Sequence, residues 1–305
     1  MSHPKGQAPN QAIEVGGAAD GRISNEDTSG SEFLRVTSAD TTLPRSMLRV
    51  SQSFWSLLQT NVLNQQRWAT RHELRLAIVV WIERSLTPDG VFFRAENLDR
   101  VTGRGWATLR EAGVRTVLDL RRPDEVTDAV PDDLTVLRID LDGDERDFWE
   151  EFERDGRWGT PLYYDAHLRE LPHRLAGVIE AIAAAREGGI LFHCGAGWDR
   201  TGLVAAVLLR AVEVTSDAAL ADYLASFANA GAMSALHERS FDVERRLEVL
   251  DAHGHTADSA FRAVYAQLDV ENWFRHAGLD DAAVRAVTTW RGHVLPDAVS
   301  RAPGS

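Results

Sequence analysis

The stretch Ile190–Val212, ILFHCGAGWDRTGLVAAVLLRAV, decides the fold. Ile190 to His193 is an apolar run of strand length, and Thr201 to Val212 is an apolar run of helix length directly behind it. The spacing predicts a buried strand, a tight turn through Gly195 and Gly197, and a helix starting near Arg200. Upstream, the same alternation continues. Trp106 to Ala112 reads as a short helix stopped by Gly113, and Val114 to Leu120 is a β-branched run of strand length. Leu134 to Asp142 alternates apolar with polar as a second strand does, and an acidic stretch, Asp142 to Asp155, separates it from a long helical pattern, Pro161 to Arg186. Downstream, helical patterns cover Asp217 to Asn229, Met233 to Ala252, Ser259 to Leu268, Glu271 to His276 and Asp281 to Trp290. Strands alternating with helices, followed by helices alone, imply an α/β fold: a mostly parallel central sheet flanked by helices, with a helical C-terminal half.

This unit spans residues 90–292, with a boundary near Ser85 to Gly90. Residues 1–45, rich in Gly, Ser, Thr, Asp and Asn without apolar periodicity, read as a disordered tail. Residues 46–89 carry Phe54, Trp55, Leu57, Leu58, Val62 and Trp68 in one or two amphipathic helices, and residues 293–305 form a C-terminal tail.

Composition narrows the function. A hydrophobic content of 44% against 26% charged residues excludes wholesale disorder. The net charge of -13 repels nucleic-acid phosphates and anionic membranes, so neither a nucleic-acid partner nor stable membrane association is expected. The apolar run Leu76 to Ile82 falls far short of the ~20 residues of a membrane-spanning helix, and the first 30 residues lack a secretory apolar core; a cytoplasmic protein is the simplest reading. The single cysteine, Cys194, rules out an intramolecular disulfide and a cysteine-rich zinc site, so it matters as a thiol. His253 and His255 have no third ligand near them, and Asp142-Gly143-Asp144 lacks the other positions of a calcium loop. No metal and no cofactor are expected.

The chemistry sits at the turn, His193-Cys194-Gly195-Ala196-Gly197-Trp198-Asp199-Arg200-Thr201-Gly202. A cysteine six residues before an arginine is weak evidence alone, because 33 of the 305 residues are Lys or Arg; the strand before it and the helix after it supply the specificity. Backbone amides of Gly195, Ala196, Gly197 and Trp198 turned inward on the positive end of a helix make an anion cradle. Arg200 adds a planar fork for two oxygens of a tetrahedral dianion. Thiols in such a field titrate at about 3.5 to 7.5 instead of ~8.5, which makes Cys194 a nucleophile beneath a bound phosphate. Thr201 either stabilises the departing thiolate or caps the helix. Asp199 either serves as general acid and then base, or complements the helix dipole. Asp140, Asp142 and Asp144 are competing acids, although their stretch reads more readily as a solvated face. Asp119 and Arg121, at the end of the first strand, either line the cleft or pair structurally; Tyr163 and Tyr164 read as core or rim.

HCGAGWDRTG resembles the signature loop of the cysteine-dependent protein tyrosine phosphatase superfamily, and within it the bacterial tyrosine phosphatase family with loops of the form His-Cys-x-Ala-Gly-Lys-Asp-Arg-Thr-Gly. VFFRAENLDRVTGRGWATLREAGVRTVLDLRRPDEV (Val91 to Val126) and VENWFRHAGLDDAAV (Val270 to Val284) are similar to further segments of that family, so the resemblance covers roughly residues 90–292. It implies a phosphatase catalytic domain that hydrolyses phosphotyrosine in a phosphorylated protein, or a small phosphoester, through a cysteinyl phosphate. The roles it implies are nucleophile for Cys194, phosphate binder for Arg200, loop acid for Asp199 and support of the cysteine for His193.

Two features depart from the family. Its Asn-Phe-Arg-Asp-x-Gly-Gly element is missing between Arg71 and Gly90, and its loop lysine is replaced by Trp198. That substitution removes a positive charge from the rim and either adds a flat surface suited to aryl phosphates or packs against the fold. The alternatives are a phosphoinositide phosphatase, which shares the chemistry, and a non-catalytic module that reads phosphate. A thiol redox enzyme is disfavoured because the chain has no second cysteine.

Overall fold

Phe92, Leu118, Ile190 and Phe192 belong to one apolar layer while Phe93, Val117 and Leu191 belong to another, as the two-residue period of a strand requires of a sheet covered on both faces. The computed structural model describes residues 81–82, 85–228, 233, 237 and 242–294. The readings for residues 1–45, for most of 46–89 and for nearly all of 293–305 lie outside them. A small antiparallel hairpin pairs β1 (Trp81–Ile82) with β2 (Ser85–Leu86). The central sheet holds β3 (Phe92–Ala95), β4 (Val114–Asp119), β5 (Thr135–Arg138) and β6 (Gly189–His193) in the order β3-β6-β4-β5, with every pair parallel.

One face carries α1 (Gly103–Glu111), whose Trp106 and Leu109 cover Phe93, Val117 and Leu191. The other face carries the larger core. It is built on α2 (Arg146–Arg154), α3 (Tyr164–Glu170), α4 (Pro172–Ala184), α5 (Arg200–Ala211) and α6 (Ser216–Ala228). Beyond these come α7 (Val243–Ala252), α8 (Ala257–Gln267), α9 (Val270–His276) and α10 (Asp281–Thr288). Residues Arg200 to Leu209 of α5 are all buried, so this helix is the axis of the fold. Gly202 lets it pack so closely: a Cβ there would come within 2.8 Å of the Tyr164 hydroxyl. Behind the sheet, Trp290 is fully buried, packs edge-on against Phe92 at 4.7 Å and donates to the Pro88 carbonyl at 3.3 Å.

The α/β architecture expected from the sequence is present, with three differences in detail. Phe92–Ala95 is a strand that the sequence reading passed over, because four fully buried residues show neither alternation nor length. The pattern Pro161 to Arg186 is not one helix: a 3₁₀ turn (Pro161–Tyr163) precedes α3, and Pro172, which has no N–H to give, ends α3 and opens α4. The acidic stretch is a solvated face only in part: Asp144, Asp147, Glu150 and Glu151 are exposed, whereas Asp142 is buried. It contains the amphipathic α2, which buries Trp149 and Phe152, and its Asp142 is 4% exposed. No helix among the described residues is long and apolar enough to cross a membrane.

Candidate active site

Parallel register brings three strand ends to one edge of the sheet: Ala95 and Asp119 each pair with His193. Loops leaving the C-terminal ends of parallel strands form the crevice where open α/β sheets bind ligands. Cys194 follows β6 immediately and is 2% exposed. From there the chain bends over residues 195–199 and enters α5 at Arg200. Gly197 has φ +70°, and a Cβ on it would lie 2.7 Å from both the Ala95 carbonyl oxygen and the Glu96 nitrogen, so this position accepts only glycine. Its amide donates to Cys194 Sγ at 3.3 Å, and the Gly195 carbonyl accepts from the Asn97 amide at 3.2 Å. The turn is therefore fastened to the β3 end on one side and to its own sulfur on the other.

Arg200 is 5% exposed and held by two acids. Its Nη1 and Nη2 donate to Glu125 Oε2 and Oε1 at 2.6 and 2.9 Å, and Asp142 Oδ2 lies 3.3 Å from Nη1. A guanidinium has five N–H groups. The end-on pair is spent on Glu125, which leaves the Nε hydrogen and the second Nη2 hydrogen as a side-on fork of the kind that grips two oxygens of a phosphate.

His193 and its neighbours form the floor. Burial pushes the His193 imidazole down to about 4, so it is neutral at pH 7. A carbonyl only accepts, so the 3.3 Å contact between Nδ1 and the Cys194 carbonyl assigns the proton to Nδ1, and Nε2 faces Asp119 at 3.7 Å. Asp119 and Arg121 pair with each other through two bonds of 2.9 and 2.8 Å, both side chains being 3% exposed. Burial opposes ionisation of Asp119, but the Arg121 fork outweighs it and holds the carboxyl below its ordinary range. Of the two roles open to Asp119 and Arg121, the structure has the paired one.

Asp199 stands at the N-cap of α5, but its side chain makes no capping bond, and Thr201 is already the second residue of the helix with its hydroxyl buried and unbonded. Neither side chain is a cap. Burial pushes the Asp199 carboxyl up to about 7, the Asp142 carboxylate adds to that, and Arg246 opposes it. Burial also raises Asp142, to about 6. Between about pH 4 and 7 the folded chain thus keeps a proton on Asp199 that the unfolded chain has lost, so stability declines as pH rises through that window. Asp199→Asn removes this titration. Melting temperatures of variant and parent are expected to diverge in favour of the variant from pH 4 to 7 and to run parallel above; parallel curves throughout would contradict a buried, neutral Asp199.

Trp198 is 4% exposed and stacks on Phe227 at 5.1 Å with the rings 13° apart. It packs against the fold and is not a flat platform for an aryl group. Tyr163 and Tyr164 are core, and the Tyr164 hydroxyl donates to the Asp199 carbonyl at 2.8 Å. Among the described residues no three His, Cys, Asp or Glu side chains gather as a metal site. Sequence reasoning missed Glu125; of the competing acids it named, Asp142 is the one seated against Arg200. One signal was available for Glu125: it lies a few residues beyond the C-terminal end of β4, on the edge that holds Cys194.

The chain is similar in sequence to known proteins. A model of the tyrosine phosphatase family matches residues 82–290. The chain is 32% identical over 198 residues to the triple specificity protein phosphatase PtpB of Mycobacterium tuberculosis, covering 53% of this chain and 71% of that protein. It is also 32% identical over 130 residues to a tyrosine-protein phosphatase of Nostoc commune, covering 40% of this chain and 43% of that one. The crystal structure of P. aeruginosa TpbA in complex with pTyr aligns at a TM-score of 0.34 and 18% identity, over 62% of this chain and 87% of that one. With the family match spanning more than half its length, the chain belongs to the tyrosine phosphatase family.

Proposed function

We propose that this tyrosine phosphatase hydrolyses phosphotyrosine, in phosphorylated proteins or as a small phosphoester, through a cysteinyl phosphate formed on Cys194. The observation that carries the reading is the seat of Cys194 at the mouth of α5, its sulfur 3.3 Å from the Gly197 amide, six residues before an Arg200 whose side-on fork is unspent. The dianion lies in the turn of Gly195, Ala196, Gly197 and Trp198 with two oxygens on Arg200. Sulfur attacks phosphorus, the P–O ester bond breaks, and the departing phenolic oxygen takes a proton from Asp199. Water then attacks phosphorus, Asp199 takes its proton, and the P–S bond breaks with Thr201 donating to the sulfur. His193 holds the Cys194 carbonyl, and the Asp119–Arg121 pair lies beside it, Asp119 Oδ1 being 3.7 Å from its Nε2.

Asp142 supports a second assignment of the acid. Its buried Oδ2 lies 3.3 Å from Arg200 Nη1, and a carboxyl raised to about 6 is protonated over part of the neutral range. Leaving-group dependence separates the two. For the true donor, exchange to Asn is expected to slow an alkyl phosphate about 10²-fold or more and nitrophenyl phosphate far less. An equal loss on both substrates in Asp199→Asn, with the graded loss in Asp142→Asn, would move the role to Asp142.

The substrate is tested by phosphate release from a phosphotyrosine peptide, a phosphoserine peptide and soluble phosphoinositides, with and without EDTA. The phosphotyrosine peptide is expected to be fastest, with no effect of EDTA. Faster release from phosphoinositides would favour the lipid reading, and binding of phosphopeptide without release would favour a phosphate-reading module.

A further inference from the structure

Arg94, on β3, is a buried cation that the mechanism above does not use; its side chain is 2% exposed. Its Nη2 donates to the Gly197 carbonyl at 2.6 Å and to Ser226 Oγ at 2.8 Å, and its Nη1 forms an ion pair with Asp222. Asp222 and Ser226 lie on α6, as does Phe227, on which the next loop residue, Trp198, is stacked. Two successive residues of the turn are thus tied to the last turns of one helix, with Arg94 as the strut between strand, turn and helix.

We propose that Arg94 is a positioning residue that holds the turn in its anion-receiving conformation; this deepens, and rests on, the reading of Cys194 and Arg200 given above. The argument follows from peptide geometry. In a trans peptide the carbonyl and the following N–H point in opposite directions. Pinning the Gly197 carbonyl onto Arg94 therefore aims the Trp198 N–H away from Arg94, and it withdraws from the cradle an oxygen that would repel a dianion. The guanidinium also polarises that peptide, which makes the N–H a stronger donor. On its other side the Gly197 amide reaches Cys194 Sγ, so this one residue is strung between the sulfur and the strut. Asp222 makes the strut fork-specific: one planar cation reaches a carbonyl, a hydroxyl and a carboxylate together, and a lysine ammonium on a flexible stem does not reproduce that arrangement.

The test measures oxyanion binding apart from turnover. Tungstate is titrated calorimetrically into Cys194→Ser and into Cys194→Ser with Arg94→Lys, folding being checked by circular dichroism. The second protein is expected to bind about 10- to 100-fold more weakly, as loss of charge-assisted hydrogen bonds implies. With Cys194 intact, Arg94→Lys is expected to raise KM for nitrophenyl phosphate more than it lowers kcat, and to move the pH midpoint of iodoacetate inactivation upward. Should Arg94→Lys fail to fold, Ser226→Ala and Asp222→Asn carry the test, each with an expected weakening of about three- to tenfold. Tungstate affinity within twofold of the parent together with an unmoved inactivation midpoint in folded variants would overturn the proposal. Failure of folded Cys194→Ser itself to bind tungstate would strike the cradle and the strut with it, whereas a loss confined to the Arg94, Asp222 and Ser226 variants speaks for the strut alone.

Discussion

Cys194→Ser is expected to lower turnover by about 10⁴-fold or more while the protein still binds phosphate, because in the proposed mechanism the exchange removes the nucleophile and nothing else. Serine is close to isosteric with cysteine, so the Gly197 amide that now meets Sγ at 3.3 Å retains an acceptor and the turn keeps its shape. What changes is ionisation. In general a thiolate is the stronger nucleophile, whereas an alkyl hydroxyl stays protonated at neutral pH. His193 is buried with its imidazole directed to the Cys194 carbonyl and to Asp119. No second thiol can take over, since Cys194 is the single cysteine of the sequence. Steady-state phosphate release and a phosphate titration on the same preparation check both halves. Near-parental turnover would take Cys194 out of the mechanism, and loss of phosphate binding along with turnover would make its role structural.

Arg200→Lys is expected to cost about 10²- to 10³-fold in kcat/KM, since two charged hydrogen bonds of ~1.5–3 kcal/mol each are replaced by a point charge. The geometry makes this position more demanding than a simple phosphate contact. Glu125 takes the end-on hydrogens of the guanidinium and Asp142 sits against Nη1, so these two acids fix the plane in which the remaining fork lies. An ammonium in the same place would be drawn to Glu125 and Asp142 and away from the substrate. Glu125→Gln is expected to have the same sign and a smaller size, about 5- to 50-fold, because the amide offers one acceptor where the carboxylate offers two. Initial rates with nitrophenyl phosphate and inhibition constants for inorganic phosphate check both. Equal phosphate inhibition in parent and Arg200→Lys would show that the fork does not grip the anion.

What could be read from the sequence was whatever is local in the chain. The turn after β6 announces itself because strand, glycines, cysteine, arginine and helix are consecutive, and the Val114 run and the helices of the C-terminal half follow from periodicity over a few residues. The partners of the turn were not legible. Glu125 meets Arg200 across 75 positions and Arg94 meets Asp222 across 128, and nothing in a glutamate or an arginine by itself declares such a meeting. Asp142 misled for a related reason: acidic neighbours suggest solvent, yet the Trp149 indole donates to the Asp142 carbonyl at 2.7 Å and folds that residue inward. Trp198 looked like a possible platform because its stacking partner, Phe227, is separated from it by all of α5 and most of α6.

The meeting of Trp290 with the start of the domain bears on how the chain is made. Trp290 donates to Pro88 across 202 positions and closes over Phe92, the first residue of β3. A ribosome delivering the chain from its N-terminus presents β3 long before the residue that seals it has been translated. Until then Phe92 lacks the ring that covers it, so the strand that carries Arg94 gains its last cover only when the final helix has been made.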